Sequence, residues 1–218
     1  MPCHYPAMTH HRQLWDISAP IHSASPAYPG DTPFRQRWDL SMQSGEVVNL
    51  STVEMSPHLG THADAPLHYD AQGQAMGEVD LNIYLGPCRV IHALHCTPLI
   101  EWQHIAHAIT TDLPPRVLVR TYARKPEHWD AQFAGFAPST IAGLADAGVQ
   151  LIGIDTPSVD VLENHSLDSH QLVRARNLRI LEGLVLDEVP EGDYELIALP
   201  LKWMQTEASP VRAVLRSI

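Results

Sequence analysis

The sequence is short of cysteine, of positive charge and of long apolar runs. Its three cysteines, Cys3, Cys88 and Cys96, are irregularly spaced and include no CxxC pair. Such a set argues against a disulfide framework and for a reducing, cytoplasmic setting. Cys88 and Cys96, in or beside an apolar segment, read as buried thiols. Lys and Arg total 14 against 25 Asp and Glu, for a formal net charge of -11. Nucleic-acid binding rests on phosphate contacts, so this balance argues against it. No stretch approaches the ~20 apolar residues of a membrane helix. The N-terminal MPCHYPAMTHHRQLWDIS lacks the apolar core of a secretory signal.

What is present suits one domain. The chain has 218 residues, 44% of them hydrophobic, enough for a core without staples; at this size roughly 70% of the unfolded surface is buried. Residues 1–12, rich in Pro and His, read as a loose N-terminal tail, and 13–218 as a single domain. Bound divalent cations would offset part of the acidic charge, and histidine is plentiful at 14 residues.

Strand-like runs dominate. They fall at Leu14–Ser18, Val47–Met55 (whose alternation predicts a half-buried strand), Arg89–Leu94, Arg116–Thr121, Val149–Asp155, Glu195–Leu199 and Val211–Ser217. Helical signals are fewer: Glu101–Ala108, Ser139–Ala147 stopped by Gly148, and His170–Ala175. Strands outnumber helices without strict alternation, which predicts an α+β domain around a substantial sheet.

Chemistry concentrates in residues 57–69, Pro-His-Leu-Gly-Thr-His-Ala-Asp-Ala-Pro-Leu-His-Tyr. His58, His62, Asp64 and His68 all carry groups that bind metal or move protons. On a straight strand, residues four apart lie about 13 Å from one another, too far for His58 and His62 to share an ion. Either a helical turn or a bend at Gly60 is required. Pro57 suits a first helical turn and Pro66 a stop. No Glu follows His58, so this is not the helical metalloprotease signature. A polar loop with scattered histidines is the bland alternative, and Asp64 and His68 weigh against it.

Farther along, His170 and Glu182 stand out. Glu182 sits between Ile180-Leu181 and Gly183-Leu184, where a carboxylate is costly unless paired or ligating. An exposed acid at a strand end is the alternative that spacing leaves open for Glu182 and for Asp155, which follows an apolar run and could also orient a ligand. Asp168 is placed to cap the segment before His170.

The His-Leu-Gly-Thr-His-Ala-Asp-Ala-Pro-Leu-His stretch resembles the signature of the cyclase family of metal hydrolases, most closely its bacterial arylformamidase branch. Matches extend over most of the chain, including Trp15-Asp16-Ile17-Ser18, Tyr28-Pro29-Gly30-Asp31-Thr32-Pro33, Gly153-Ile154-Asp155-Thr156-Pro157-Ser158 and Ile180-Leu181-Glu182-Gly183-Leu184. The resemblance implies a compact α+β domain around a mixed β-sheet, swivelling β/β/α-like, in a cytoplasmic homodimer. It implies two zinc ions per subunit, with His58, His62 and Asp64 on one, Asp64 bridging, His170 on the second and Glu182 touching both. It makes His68 the catalytic proton donor and acceptor, and Tyr28 a substrate contact where the family more often has Trp.

The expected reaction is hydrolysis of N-formyl-L-kynurenine to L-kynurenine and formate, a step of tryptophan degradation. Alternatives are another cyclase-family amidohydrolase, opening a cyclic amide such as isatin, and a metal-binding protein without catalysis. Candidate pocket walls are Tyr28, Trp129, Phe133 and Phe136. The last three lie in a Pro- and Gly-punctuated stretch, Lys125–Pro138, that reads equally as a flap or as core.

Overall fold

Short β-branched runs bounded by Pro, Gly and Asn turn signals become strands here, as the sequence predicts. The computed structural model describes residues 12–218. Cys3 and all of the expected tail but Arg12 lie outside them. In chain order the strands are β1 (Leu14–Asp16), β2 (Arg35–Leu40), β3 (Leu50–Glu54), β4 (His62–Asp64), β5 (Leu85–His92), β6 (Leu99–Ile100) and β7 (Arg116–Arg120). There follow β8 (Gly135–Phe136), β9 (Leu151–Ile154), β10 (Arg179–Glu182), β11 (Gly192–Ile197), β12 (Ala208–Pro210) and β13 (Val214–Ser217). The α-helices are α1 (Trp102–Ile105), α2 (Pro138–Asp146) and α3 (Asp168–Ala175).

Nine strands form one mixed sheet, ordered β1-β13-β11-β5-β7-β9-β10-β4-β12. Its centre, β5-β7-β9-β10, is parallel, and antiparallel strands flank it on both sides. Period-two alternation assigns the faces. Val117 and Val119 of β7 join Ile141 and Leu144 of α2 and Val173 of α3 in one apolar cluster. Leu118 points the other way, into a cluster shared with Ala63 of β4 and Leu215 of β13. Strands from opposite ends of the order therefore meet in one core, and the sheet curls around it. Each large aliphatic side chain so buried contributes about 1.5–3 kcal/mol. Pro138 opens α2 and Gly148, at φ +90°, ends it in the left-handed conformation that glycine tolerates. Among the described residues, no helix is long and apolar enough to cross a membrane.

One strand differs from expectation. The alternation in Val47–Met55 yields β3, but β3 pairs only with β2 in a separate two-stranded ribbon. Among the described residues no further layer packs on it, so the predicted half-burial fails: Val47 is 88% exposed, Trp38 58% and Val53 52%.

Candidate functional site

The site is built on β4, a three-residue strand held between β10 and β12. Its alternation sends Ala63 into the core and turns His62 and Asp64 to the other face. The antiparallel register then sets His62 opposite Glu182, the last residue of β10. The site thus lies at the carboxyl ends of the parallel strands, where open α/β sheets leave a crevice.

Two glycines make this approach possible. Gly60 (φ +75°) and Gly183 (φ +66°) both adopt left-handed backbone. A Cβ on Gly183 would lie 2.2 Å from the Gly60 carbonyl oxygen. The Thr61 hydroxyl donates to the Gly183 carbonyl at 2.7 Å, locking the two segments together. Of the two expected solutions for the His58–His62 spacing, the bend at Gly60 is the one used. Pro57 and His58 lie in a turn. Pro66, expected to stop a helix, instead opens a short 3-10 turn, Pro66–His68, because a helix start needs no proline N–H. That turn brings His68 back over His58, with ring centroids 4.4 Å apart.

Asp64 sits at the centre. Its Oδ1 lies 3.2 Å from His58 Nδ1 and 3.4 Å from His62 Nε2, and its Oδ2 lies 3.5 Å from His170 Nε2. Glu182 faces the same histidines, with Oε2 3.3 Å from His62 Nε2 and Oε1 3.8 Å from His170 Nε2. Two groups have donor atoms within 4.8 Å of one another: His58–Asp64–His68 and His62–Asp64–Glu182. Asp64 belongs to both.

Each of these three histidines aims a nitrogen at the carboxylates because its other nitrogen is engaged elsewhere. His62 Nδ1 meets the Gly60 carbonyl at 3.0 Å, His170 Nδ1 meets Asp160 at 2.7 Å, and His58 Nε2 lies 3.4 Å from Glu207. A carbonyl or carboxylate only accepts, so with a cation at the centre the proton would stay on that side and a lone pair would face inward, as metal-binding histidines are arranged.

His62 Nε2, His170 Nε2 and both Asp64 oxygens are buried without a hydrogen-bond partner among the described residues. Polar atoms stranded at this depth are costly. Converging lone pairs and carboxylate oxygens are the donor set of a divalent metal, and the residues fit one. Titration points the same way. Burial opposes a charge on His62 and His170, yet for His62 the Asp64 and Glu182 carboxylates prevail, and for His170 Asp160 joins them, raising both pKa values to about 10. Asp64 is held well below the usual carboxylate range by His170, His58 and His62, against its own burial. The cluster calls for positive charge.

A cavity of about 810 Å³ opens above the cluster, floored by His58, His68, His170 and Glu182. His68 is open to it, and its pKa is pushed down by desolvation and by His58 and His170. Tyr28 and Trp129 line one wall, in edge contact at 5.2 Å between centroids. Phe133 and Phe136, expected as walls too, are core side chains, 2% and 1% exposed. The Lys125–Pro138 stretch therefore divides: its first half walls the cavity and its second enters the core at β8.

Asp155 does not join the cluster. It accepts hydrogen bonds from the backbone of Thr121 and Tyr122 and the Thr121 hydroxyl, and so anchors the segment after β7. Asp168 is the first residue of α3 rather than its cap, and its carboxylate accepts from Ser166. The capping role falls to Asp160, which accepts from the backbone N–H of Ser169 and His170. Sequence reasoning singled out neither Asp160 nor Glu207. The one signal was an acid shortly before a helix start, which many loops share.

The Cyclase family model matches residues 15–161. The chain is 60% identical over 207 residues to a kynurenine formamidase of Delftia acidovorans, covering 95% of this chain and 99% of that one. It is 61% identical over 214 residues to a kynurenine formamidase of Paracidovorax citrulli, covering 96% and 99%. Among solved structures it resembles a predicted metal-dependent hydrolase from Bacillus stearothermophilus, at 30% identity and a TM-score of 0.81 over 95% of this chain and 99% of that one.

Proposed function

The chain belongs to the cyclase family, and from that premise we propose that it hydrolyses N-formyl-L-kynurenine to L-kynurenine and formate. The observation that carries this reading is a buried His/Asp/Glu donor set beneath an aromatic-walled cavity, in a chain so like the formamidase relatives. Two zinc ions would complete the site: His58, His62 and Asp64 would hold one and His170 the other, with Asp64 and Glu182 available to both. The approach of Asp64 to His58, His62 and His170 at 3.2–3.5 Å supports its sharing. When bound, such ions supply Lewis acidity to a carbonyl oxygen and make water a stronger acid.

The remaining steps fall to the chain's own groups. The aryl ring rests against Tyr28 and Trp129 with the formyl group over the floor. His68, whose lowered pKa leaves it neutral at pH 7, takes the proton released as water attacks the formyl carbon. It returns that proton to the aryl amine nitrogen as the C–N bond breaks. Asp160 and Glu207 keep His170 and His58 in the tautomers that ligation needs. The reading includes a cytoplasmic homodimer, supported by the free thiols Cys88 and Cys96 and by the exposed apolar ribbon of β2 and β3.

The test is formate release from N-formyl-kynurenine beside isatin, with metal analysis of the same sample. The expected outcome is turnover of the formamide alone, abolished by chelator and restored by zinc. Full activity in metal-free protein, or preference for isatin, would overturn the proposal.

A further inference from the structure

The cavity lining carries two charges that nothing in the described structure uses. The segment after β7 is fixed at many points. Asp155 holds Thr121 and Tyr122, the Tyr122 hydroxyl donates to Asp130 at 3.0 Å, and Asp130 also accepts from Gln132 N. The Lys125 backbone N–H donates to both oxygens of Asp187, and its ammonium reaches the carbonyls of Asp155 and Leu184. From this fixed mount Arg124 and Glu127 line the cavity, both exposed. Arg124 is the one arginine among the described residues with neither an ion pair nor a side-chain hydrogen bond; the others, even on the open surface, have partners. Glu127 likewise has no partner among them. The two lie three residues apart and do not neutralise each other.

A guanidinium fork matches a carboxylate, and a carboxylate accepts from an ammonium. Opposite, unpaired charges lining one cavity on a well-anchored segment suit a zwitterion. Resting on the formamidase reading, we propose that Arg124 and Glu127 read the α-amino-acid end of the substrate, Arg124 taking its carboxylate and Glu127 its ammonium. The aryl formamide alone is enough to reach the metal floor; this pair makes the enzyme select an amino acid.

The test compares kcat/KM on three formamides in wild type, Arg124→Ala, Arg124→Lys and Glu127→Gln. These are N-formyl-kynurenine, its decarboxylated amine analogue, and 2'-formamidoacetophenone, which lacks the whole head. Wild type should prefer N-formyl-kynurenine. Arg124→Ala should lower that preference about 10- to 100-fold, mainly through KM, with the decarboxylated and headless substrates then used about equally well by both proteins. Arg124→Lys should restore part of it. Glu127→Gln should instead penalise both amine-bearing substrates. If Arg124→Ala lowers all three equally, or none, the assignment is wrong while the formamidase reading stands. Wild-type turnover of the headless formamide without preference also removes the assignment alone. Absence of turnover on all three removes both.

Discussion

Replacing Asp160 with Asn tests how the site is held, because the change keeps shape and removes one acceptor. In the native carboxylate, Oδ2 accepts from His170 N at 3.0 Å and His170 Nδ1 at 2.7 Å. Oδ1 accepts from Ser169 N and from Asn164 Nδ2, each at 2.9 Å. All four partners are donors, and a carboxamide has one oxygen. If its NH2 takes the Oδ2 place, the His170 backbone N–H is left unmet. The imidazole must then accept at Nδ1 and carry its proton on Nε2, losing the lone pair that faces Asp64. If the NH2 takes the Oδ1 place, Ser169 N–H is unmet and a neutral amide replaces the anion behind His170. Either way one buried donor is stranded, at a cost of about 1–3 kcal/mol. Metal affinity should fall about 10- to 100-fold, the usual range for an orienting partner of a ligand, or about 1.4–2.7 kcal/mol. Zinc competition against a chromophoric chelator gives the affinity, and denaturant melts of the apo form give the stability. Wild-type zinc affinity in a folded Asp160→Asn protein would refute the tautomer argument.

Other perturbations separate the remaining roles. His68→Ala should keep its metal by elemental analysis and lose about 10²- to 10⁴-fold in turnover, whereas Asp64→Ala should lose the metal; an emptied site in His68→Ala would make His68 a ligand. Gly183→Ala puts a methyl against the Gly60 carbonyl at a left-handed φ, so its urea midpoint should drop by the equivalent of about 1–3 kcal/mol, with metal content falling in parallel. Burial pushes the Cys88 thiol up to about 12. It should therefore resist iodoacetamide at pH 8 in the native state, where the thiolate is scarce, and react on unfolding; rapid native labelling located to Cys88 by mass spectrometry would contradict its place in the core.

Much of the scaffold is legible in the sequence because its signals are local. Val117, Leu118 and Val119 alternate as a two-faced buried strand must, and Pro138 and Gly148 bracket α2 as start and stop. The His58–His68 motif announces its chemistry because four groups able to bind metal or move protons lie within one turn-rich segment. Four features are not legible, each for a physical reason. Val47–Met55 alternates like a core strand, but burial depends on what packs against it, and nothing here does. The two solutions to the His58–His62 spacing are separated only by Gly183, 123 residues beyond Gly60 in the chain. Asp160 and Glu207 reach the histidines through loop paths and strand order, which leave no periodic trace. Phe133 and Phe136 look like pocket aromatics because hydrophobicity does not say which side of a wall a ring faces.

The pairing of His62 with Glu182 has a consequence for how the protein comes into being. These residues are separated by most of the chain's length, and contacts of that span form late, after loop-closure entropy has been overcome. A ribosome-bound fragment that ends before β10 owns the whole histidine motif but lacks Glu182, and so offers only part of the donor set. A complete donor set therefore exists only once β4 and β10 have paired. An ion that prefers the complete set would stabilise the finished arrangement increasingly as its concentration rises.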